Sequence, residues 1–370
     1  MAPDRGIPRR ETQLGERHPE RRPEPRRGQP AGRAVTGTVA SGTDWARAAS
    51  AITSASQVCL ACHIYPDADA LGSMLAVAHA LGAGQKIIAS VGDPPGDAVT
   101  QVPANLRFLP GLDMLSPPDA FPASPEVMIT FDVSTPSRLG LLEQRAEQAG
   151  ELIVIDHHAS NHGFGTIDLV DPDAAATAVL ASGLIDQLGV ALTKPIALCL
   201  YAGLAADTGS FQFSSTTPEV HQLAARLLAT GIDSGAVGHE LWDRAPFGYL
   251  GVLSAALARA VLEPAEAGGR GLVWTSISRA DRAAHGLGYD AIEPVIDVVR
   301  RTDEAEVAVV LKEDDRGTWR ASARSKGQLN LARALGRLGG GGHPAAAGFA
   351  SPGPVDEIMR GVRAVLADAS

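Results

Sequence analysis

Histidine and aspartate recur in this 370-residue chain at the ends of short apolar runs. "CLACHIYPDADALGS" brings His63, Asp67 and Asp69 close together, and "VMITFDVS" carries Asp132 near its end. "ELIVIDHH" ends in Asp156, His157 and His158, and "LYAGLAADTGS" carries Asp207 into a glycine turn. Each residue alone has an ordinary explanation. Asp67 and Asp69 are good caps for a following helix, Asp132 and Asp207 suit turns, and a strand-end His is commonly a satisfied surface or core residue. Together they mean something else, because carboxylates gathered at one edge repel one another unless cations separate them. The pattern therefore points to a metal centre. Imidazole and carboxylate donors without thiolate suit Mn²⁺, Mg²⁺, Fe²⁺ or Zn²⁺. Even two His and four Asp from this set are too many for one ion with open positions. They match two ions about 3.5–4 Å apart sharing a carboxylate, an arrangement suited to phosphoryl hydrolysis. One twin histidine is then a ligand, and the other faces the phosphate.

The elements that must position these groups read as an α/β fold. "QVCLACHI", "QKIIASV", "EVMITFDVS" and "ELIVIDHH" are uninterrupted apolar runs, the pattern of strands buried on both faces of a parallel sheet. Helical patterns lie between and after them at 70–83, 138–150 and 174–189, and the alternation predicts a doubly wound, mainly parallel sheet. Such sheets place ligands at the carboxyl ends of their strands, where the first, third and fourth runs deliver their polar residues, and Asp207, from a later helix-like run, is expected to converge on the same edge. Residues 43–230 form this first domain, and 231–263 read as a helical linker. A smaller α/β domain at 264–370 has strands "GLVWTSIS", "EVAVVLKED" and "TWRASARS" and a glycine-rich loop "GGGGH". The interdomain cleft is then the active site.

Residues 1–42 form an Arg/Pro-rich tail that cannot bury enough surface to fold alone. The tail reads as a dispensable extension, or the product of an early start codon, rather than a nucleic-acid arm. The first 34 residues hold nine Arg and five acids, leaving 23 basic and 37 acidic residues in the body. A body so acidic is a poor track for long DNA or RNA, whose affinity comes largely from Lys and Arg. Aromatic residues make up only 4% of the chain, which argues against an extended base-stacking groove. No apolar run approaches the roughly 18 residues of a membrane span. The chain has three cysteines. Cys59 and Cys62 are spaced CxxC, but within a strand they face opposite sides of the sheet, so neither a shared metal nor a disulfide is expected. Together with the absence of an export signal, this leads to the expectation of a cytoplasmic protein.

The ordered set HxxPDxD…GS, D, DHH and DTG, followed by "GGGGHPAAAG", resembles the DHH phosphoesterase superfamily with its DHHA1 substrate-binding domain. The resemblance covers nearly all of the chain beyond residue 43. Within the superfamily the chain is similar to the nanoRNases, oligoribonucleases that also dephosphorylate 3′-phosphoadenosine 5′-phosphate (pAp). Some of their relatives also hydrolyse cyclic di-AMP and its linear product pApA. The resemblance implies that His63 and Asp67 bind one Mn²⁺ and that Asp69, His157 and Asp207 bind a second, with Asp132 bridging. Mg²⁺ and Co²⁺ are alternatives. It also implies that His158 contacts the scissile phosphate, that Asp156 orients an imidazole, and that Arg324 with Ser325, Gly341, Gly342 and His343 clamps the substrate. Arg320 is a weaker candidate than Arg324. Tyr65, where similar proteins often carry Asn, is expected to tune little. A homodimer is implied by relatives, but no stretch of the chain demands one.

Three rival readings share some of these features. A RecJ-like exonuclease has the metal motifs, but this chain lacks the length for a further nucleic-acid domain and lacks a basic body. A family II inorganic pyrophosphatase carries a basic Arg-Lys-Lys cluster that is missing here. A non-enzymatic nucleotide sensor would keep the full ligand set for structure alone.

Overall fold

The computed structural model describes residues 41–82, 84, 86–93 and 102–369; all but the last two positions of the Arg/Pro-rich tail lie outside them. Ser41 caps the first helix, Gly42–Ser54, through a capping box with Asp44. Five strands follow: β1 Gln57–Cys62, β2 Lys86–Val91, β3 Val127–Phe131, β4 Glu151–Asp156 and β5 Ile167–Val170. They form one parallel sheet in the order β2-β1-β3-β4-β5. The strand order reverses between β1 and β3, and open α/β sheets open a crevice for ligands at such a point.

Register explains how distant residues meet. Cys62 of β1 lies beside Phe131 of β3, and Phe131 beside Ile155 of β4. One residue further along, His63, Asp132 and Asp156 therefore emerge side by side on the same edge.

Both faces of the sheet are covered. Val58, Leu60 and Cys62 pack under the helices Ala68–Leu81 and Lys194–Asp207, whereas Cys59 and Ala61 join Leu139 and Leu142 on the opposite side. The three cysteines are free and buried, and alternation along β1 sends Cys59 and Cys62 to opposite sides of the sheet. The two helices nearly touch. A Cβ added at Gly72 would overlap the carbonyl oxygen of Cys199, and one at Gly203 would lie 2.7 Å from Asp69 Oδ1.

The sequence-predicted helix at 138–150 is different in the structure. It is a 3₁₀ segment, Pro136–Leu142, broken at Gly140 (φ 58°), followed by the five-residue helix Glu143–Glu147. A side chain at Gly140 would strike the carbonyl of Asp93, so two backbone segments cross there. The crossing is useful to the site, because the Ile64 N–H donates to the Arg138 carbonyl (2.9 Å) and fixes the loop after His63.

A second sheet contains β6 Val261–Glu263, β7 Leu272–Ile277, β8 Val307–Glu313, β9 Trp319–Ser325, β10 Gly341–His343 and β11 Ala346–Ser351. Its order is β10-β11-β9-β8-β7-β6, with only β7 and β8 parallel. The stretch read as helical linker contains the helices Ser234–Trp242 and Gly248–Ala258, but its last three residues are β6. The "GGGGH" segment is likewise not a loop throughout, because Gly341–His343 is an edge strand in a hairpin with β11. Gly342 has φ 136°, and a Cβ there would overlap the Ala346 carbonyl, so this strand accepts only glycine at that position. Among the described residues no helix is long and apolar enough to cross a membrane.

Candidate metal centre

Asp132 is the centre of the acid–imidazole cluster. It follows β3 with φ 60°, a left-handed conformation that Asp tolerates better than most residues, and its N–H still donates to the Ile155 carbonyl (3.0 Å). Its carboxylate is buried. Oδ2 lies 3.5 Å from His63 Nε2, and Oδ1 lies 3.5 Å from His157 Nε2 and 3.7 Å from His158 Nδ1. Thr177 Oγ1 donates to Oδ1 at 2.8 Å and fixes its rotation.

His63 and His157 are held in the same way. Nδ1 of His63 donates to the Ile64 carbonyl (2.8 Å), and Nδ1 of His157 donates to the Ala174 carbonyl (3.1 Å). A ring that donates through Nδ1 presents Nε2 as its lone pair when neutral. Both Nε2 atoms are buried and make no hydrogen bond. Around them stand Asp67 Oδ2 at 3.8 Å from His63, and Asp69 Oδ2 at 3.9 Å and Asp207 Oδ2 at 3.0 Å from His157. Lone pairs facing lone pairs in a buried site require either an extra proton or a cation between them. The donors are all nitrogen and oxygen, and they fit divalent ions of the Mn²⁺ and Mg²⁺ kind. One group, His63, Asp67 and Asp132, and another, Asp69, Asp132 and His157, each bring their ligand atoms within 4.8 Å of one another.

The electrostatics tell the same story. Burial alone would depress the His63 pKa, yet Asp132 and Asp67 outweigh it and hold the imidazolium up to about 9. His157 is likewise raised against burial, by Asp207 and then Asp132 and Asp69. Burial pushes Asp69 well above the usual carboxylate range, helped by Asp207 and Asp132. The cluster thus collects positive charge wherever it can.

Asp67 and Asp69 serve two purposes each. Asp67 Oδ1 caps its helix by accepting from Asp69 N and Ala70 N, both at 3.0 Å, while Oδ2 faces His63. Asp69 is fully buried and accepts from the first amides of a neighbouring helix, Thr177 N (2.6 Å) and Ala178 N (2.9 Å). Asp67 thus caps its helix with one oxygen and leaves the other turned toward His63.

Asp156 is also buried. Its Oδ1 accepts from His158 Nδ1 at 2.7 Å and its Oδ2 from Asn161 Nδ2 at 2.8 Å, so it orients His158. His158 is raised against burial by Asp156 and Asp132. Thr177 and Asn161 escape a sequence reading. Asn161, three residues beyond the twin histidines, has a weak signal as a nearby amide, and Thr177 has none.

The second sheet contributes one aligned row. His343, Ala346 and Arg324 are direct cross-strand neighbours on β10, β11 and β9, so their side chains share a face. His343 reaches the cluster: its ring lies 4.4 Å from that of His158, nearly parallel, and 4.6 Å from His157. Burial and those two histidines push the His343 pKa down to about 4. Among the described residues Arg324, half-buried, donates only to the Ala323 carbonyl (3.0 Å). Ser325 does not join the row. It lies on the opposite face of β9, where its hydroxyl donates to Glu306 (2.6 Å). Gly341 and Gly342 lie in β10 beside His343.

Comparison with known proteins agrees with this layout. Residues 57–204 match the DHH family, N-terminal domain, and residues 279–368 match the DHHA1 domain. A bifunctional oligoribonuclease and PAP phosphatase NrnA from Thermus thermophilus is 34% identical over 289 residues, covering 78% of this chain and 82% of that protein. Its Bacillus subtilis namesake is 26% identical, covering 77% and 86%. The cyclic-di-AMP phosphodiesterase GdpP of Geobacillus thermodenitrificans is 26% identical over 79% of this chain, which spans 44% of that longer protein. An exopolyphosphatase-related protein from Bacteroides fragilis shares the fold, with a TM-score of 0.77, 22% identity, and coverage of 90% and 98%. With the two domains matched in this order and the identity sustained across most of a relative's length, the chain belongs to the DHH/DHHA1 phosphoesterases and is a hydrolase of phosphoester bonds.

Proposed function

We propose that this chain hydrolyses short oligoribonucleotides to mononucleotides and pAp to AMP and phosphate, and that it also accepts cyclic di-AMP and pApA. The named activities of the similar proteins support that range. The acidic body agrees with small rather than long nucleic-acid substrates. Residues 43–230 would carry the chemistry and 264–370 the substrate contacts, with 231–263 as linker except for β6.

One observation carries the mechanism: the two orphaned Nε2 atoms directed at opposite oxygens of Asp132. In this reading His63, Asp67 and Asp132 would hold one Mn²⁺, and Asp69, His157, Asp207 and Asp132 a second. Bound ions would supply Lewis acidity toward phosphoryl oxygens and make an attacking water more acidic. The remaining work belongs to the chain. Asp156 holds the His158 Nδ1 proton, which leaves Nε2 to carry the proton delivered to the departing oxygen. Arg324 and His343 would draw the substrate's phosphates toward the cluster, and Arg324 can fork onto two phosphate oxygens.

The test is a turnover panel of pAp, pApA, cyclic di-AMP and two- to five-residue RNA with Mn²⁺, Mg²⁺ or Co²⁺. Failure on pAp and short RNA with every metal sinks the proposal. Arg324→Ala should raise KM for these nucleotides about tenfold or more while changing kcat less, since a charge-assisted phosphate contact is lost. An equal fall of kcat would move Arg324 into the chemistry.

Metal binding should also release protons. His63 without metal keeps its second proton up to about pH 9, so at neutral pH an incoming ion must displace it, and the raised His157 behaves alike. Apparent Mn²⁺ affinity should therefore rise with pH through the neutral range. Calorimetry in buffers of different ionisation enthalpy should show about one to two protons released. Zero release would contradict the assignment of these imidazoles as ligands.

A further inference from the structure

Tyr65 is the residue of the first metal motif that neither metal binding nor packing explains. It sits midway between His63 and Asp67, yet its side chain is 53% exposed and contributes nothing to the core. Its φ is 55°. Left-handed backbone is uncommon outside glycine and a clear outlier for a bulky residue, and it persists where the surroundings impose it, often at ligand-binding positions. The helix cap does not need the tyrosine, since Asp67 supplies it.

Among the described residues the ring meets one cation, and it comes from the other sheet. The guanidinium of Arg320 lies over it, 5.5 Å from the centroid. Asp314 steadies that guanidinium through Nε at 3.3 Å. Arg320 is on β9, and by strand alternation it shares a face with Ser322 and Arg324. Four residues of strand separate the two arginines by on the order of 13 Å, a span that one nucleotide with its phosphate and base can cover. A flat π face and a flat cation thus stand at one end of a row whose other end is the phosphate-binding arginine. A flat, polarisable, hydrogen-bonding ring is the ligand that such a pair recognises, and aromatic side chains and Arg planes are how unpaired bases are held.

We infer that Tyr65 and Arg320 form a nucleobase platform, two positioning residues that make this centre prefer nucleotides over base-free phosphoesters. The inference rests on the proposed nucleotide-hydrolase reading and names the part of the substrate that reading leaves unassigned. It departs from the expectation from sequence that Tyr65 tunes little.

The experiment compares pAp with its base-free counterpart, ribose 3,5-bisphosphate, on the full chain with Mn²⁺. Tyr65→Gly should raise the KM for pAp about tenfold relative to the KM for the base-free substrate, the scale of one lost stacking contact. Arg320→Ala should move the ratio in the same direction, and Tyr65→Phe should restore it. Glycine relaxes the left-handed backbone, so Tyr65→Gly should melt no lower than the wild type, which separates loss of the platform from loss of the fold. Equilibrium binding of AMP, which needs no turnover, is measured alongside and should weaken about tenfold in Tyr65→Gly. An unchanged KM ratio with unchanged AMP binding overturns the platform, as does an equal rise for both substrates, which would make the ring an interdomain strut only. If the wild type turns over no pAp while AMP binding still depends on Tyr65, the proposed reaction fails and the platform stands.

Discussion

Asp132→Ala should eliminate hydrolysis of pAp and of short RNA together, by at least about a hundredfold. The reason is position. Opposite oxygens of this one carboxylate face the buried Nε2 atoms of His63 and His157, and His158 lies 3.7 Å away. No neighbouring acid can replace it: Asp67 approaches only His63, while Asp69 and Asp207 approach only His157. Removing it separates the cluster into two halves without a shared anion, so metal content should fall with activity. Asp132→Asn is the sharper variant, because an amide can still accept from Thr177 Oγ1 while losing the charge. Loss of bound Mn²⁺ in both variants, measured by elemental analysis, is the expected outcome. Retention of more than a few per cent of activity, with metal bound, would defeat the two-ion assignment.

Gly72→Ala should destabilise the protein by about 1–3 kcal/mol, seen as a fall of several degrees in thermal melting. The sign is the informative part. Gly72 is inside the helix Ala68–Leu81, and at an unconstrained helical site alanine would stabilise by roughly 0.5–1 kcal/mol. Here the new methyl would overlap the Cys199 carbonyl, which is backbone and cannot rotate away. The helix would have to retreat from Lys194–Asp207, carrying Asp69 at one end away from Asp207 at the other. A melting temperature at or above the wild type would show that the helices are not in this close contact.

Much of the site is legible in the sequence because parallel strands buried on both faces read as plain apolar runs. Their ends are abrupt, and the first polar residue after each is on the same edge once the register is known. Cys62, Phe131 and Ile155 make that row, and His63, Asp132 and Asp156 follow from it. What the sequence hides has a different physical origin. β5 is four residues long and carries Asp168, and β6, β10 and β11 are short or rich in small residues; pairing with their neighbours, rather than hydrophobic pattern, makes them strands. The 138–150 pattern has helical periodicity, but the crossing at Gly140 overrides it. Thr177 reaches Asp132 across 45 positions, which no local pattern encodes. Ser325 is separated from Arg324 for a simpler reason: they are neighbours in sequence, and in a strand that sends them to opposite faces.

The cysteine one residue before His63 has a consequence for heavy-metal exposure. Cys62 points into the helix-side core and Cys59 into the opposite one, and Cys199 is sealed beneath the helix contact. No thiol stands among the ligand groups of the described residues. A thiophilic poison such as cadmium or mercury therefore meets an oxygen-and-nitrogen centre and gains no sulfur anchor there, and oxidants find no exposed thiolate to attack. Swapping Cys62 and His63 in register would reverse both properties, so a single step along one strand keeps sulfur chemistry out of the site.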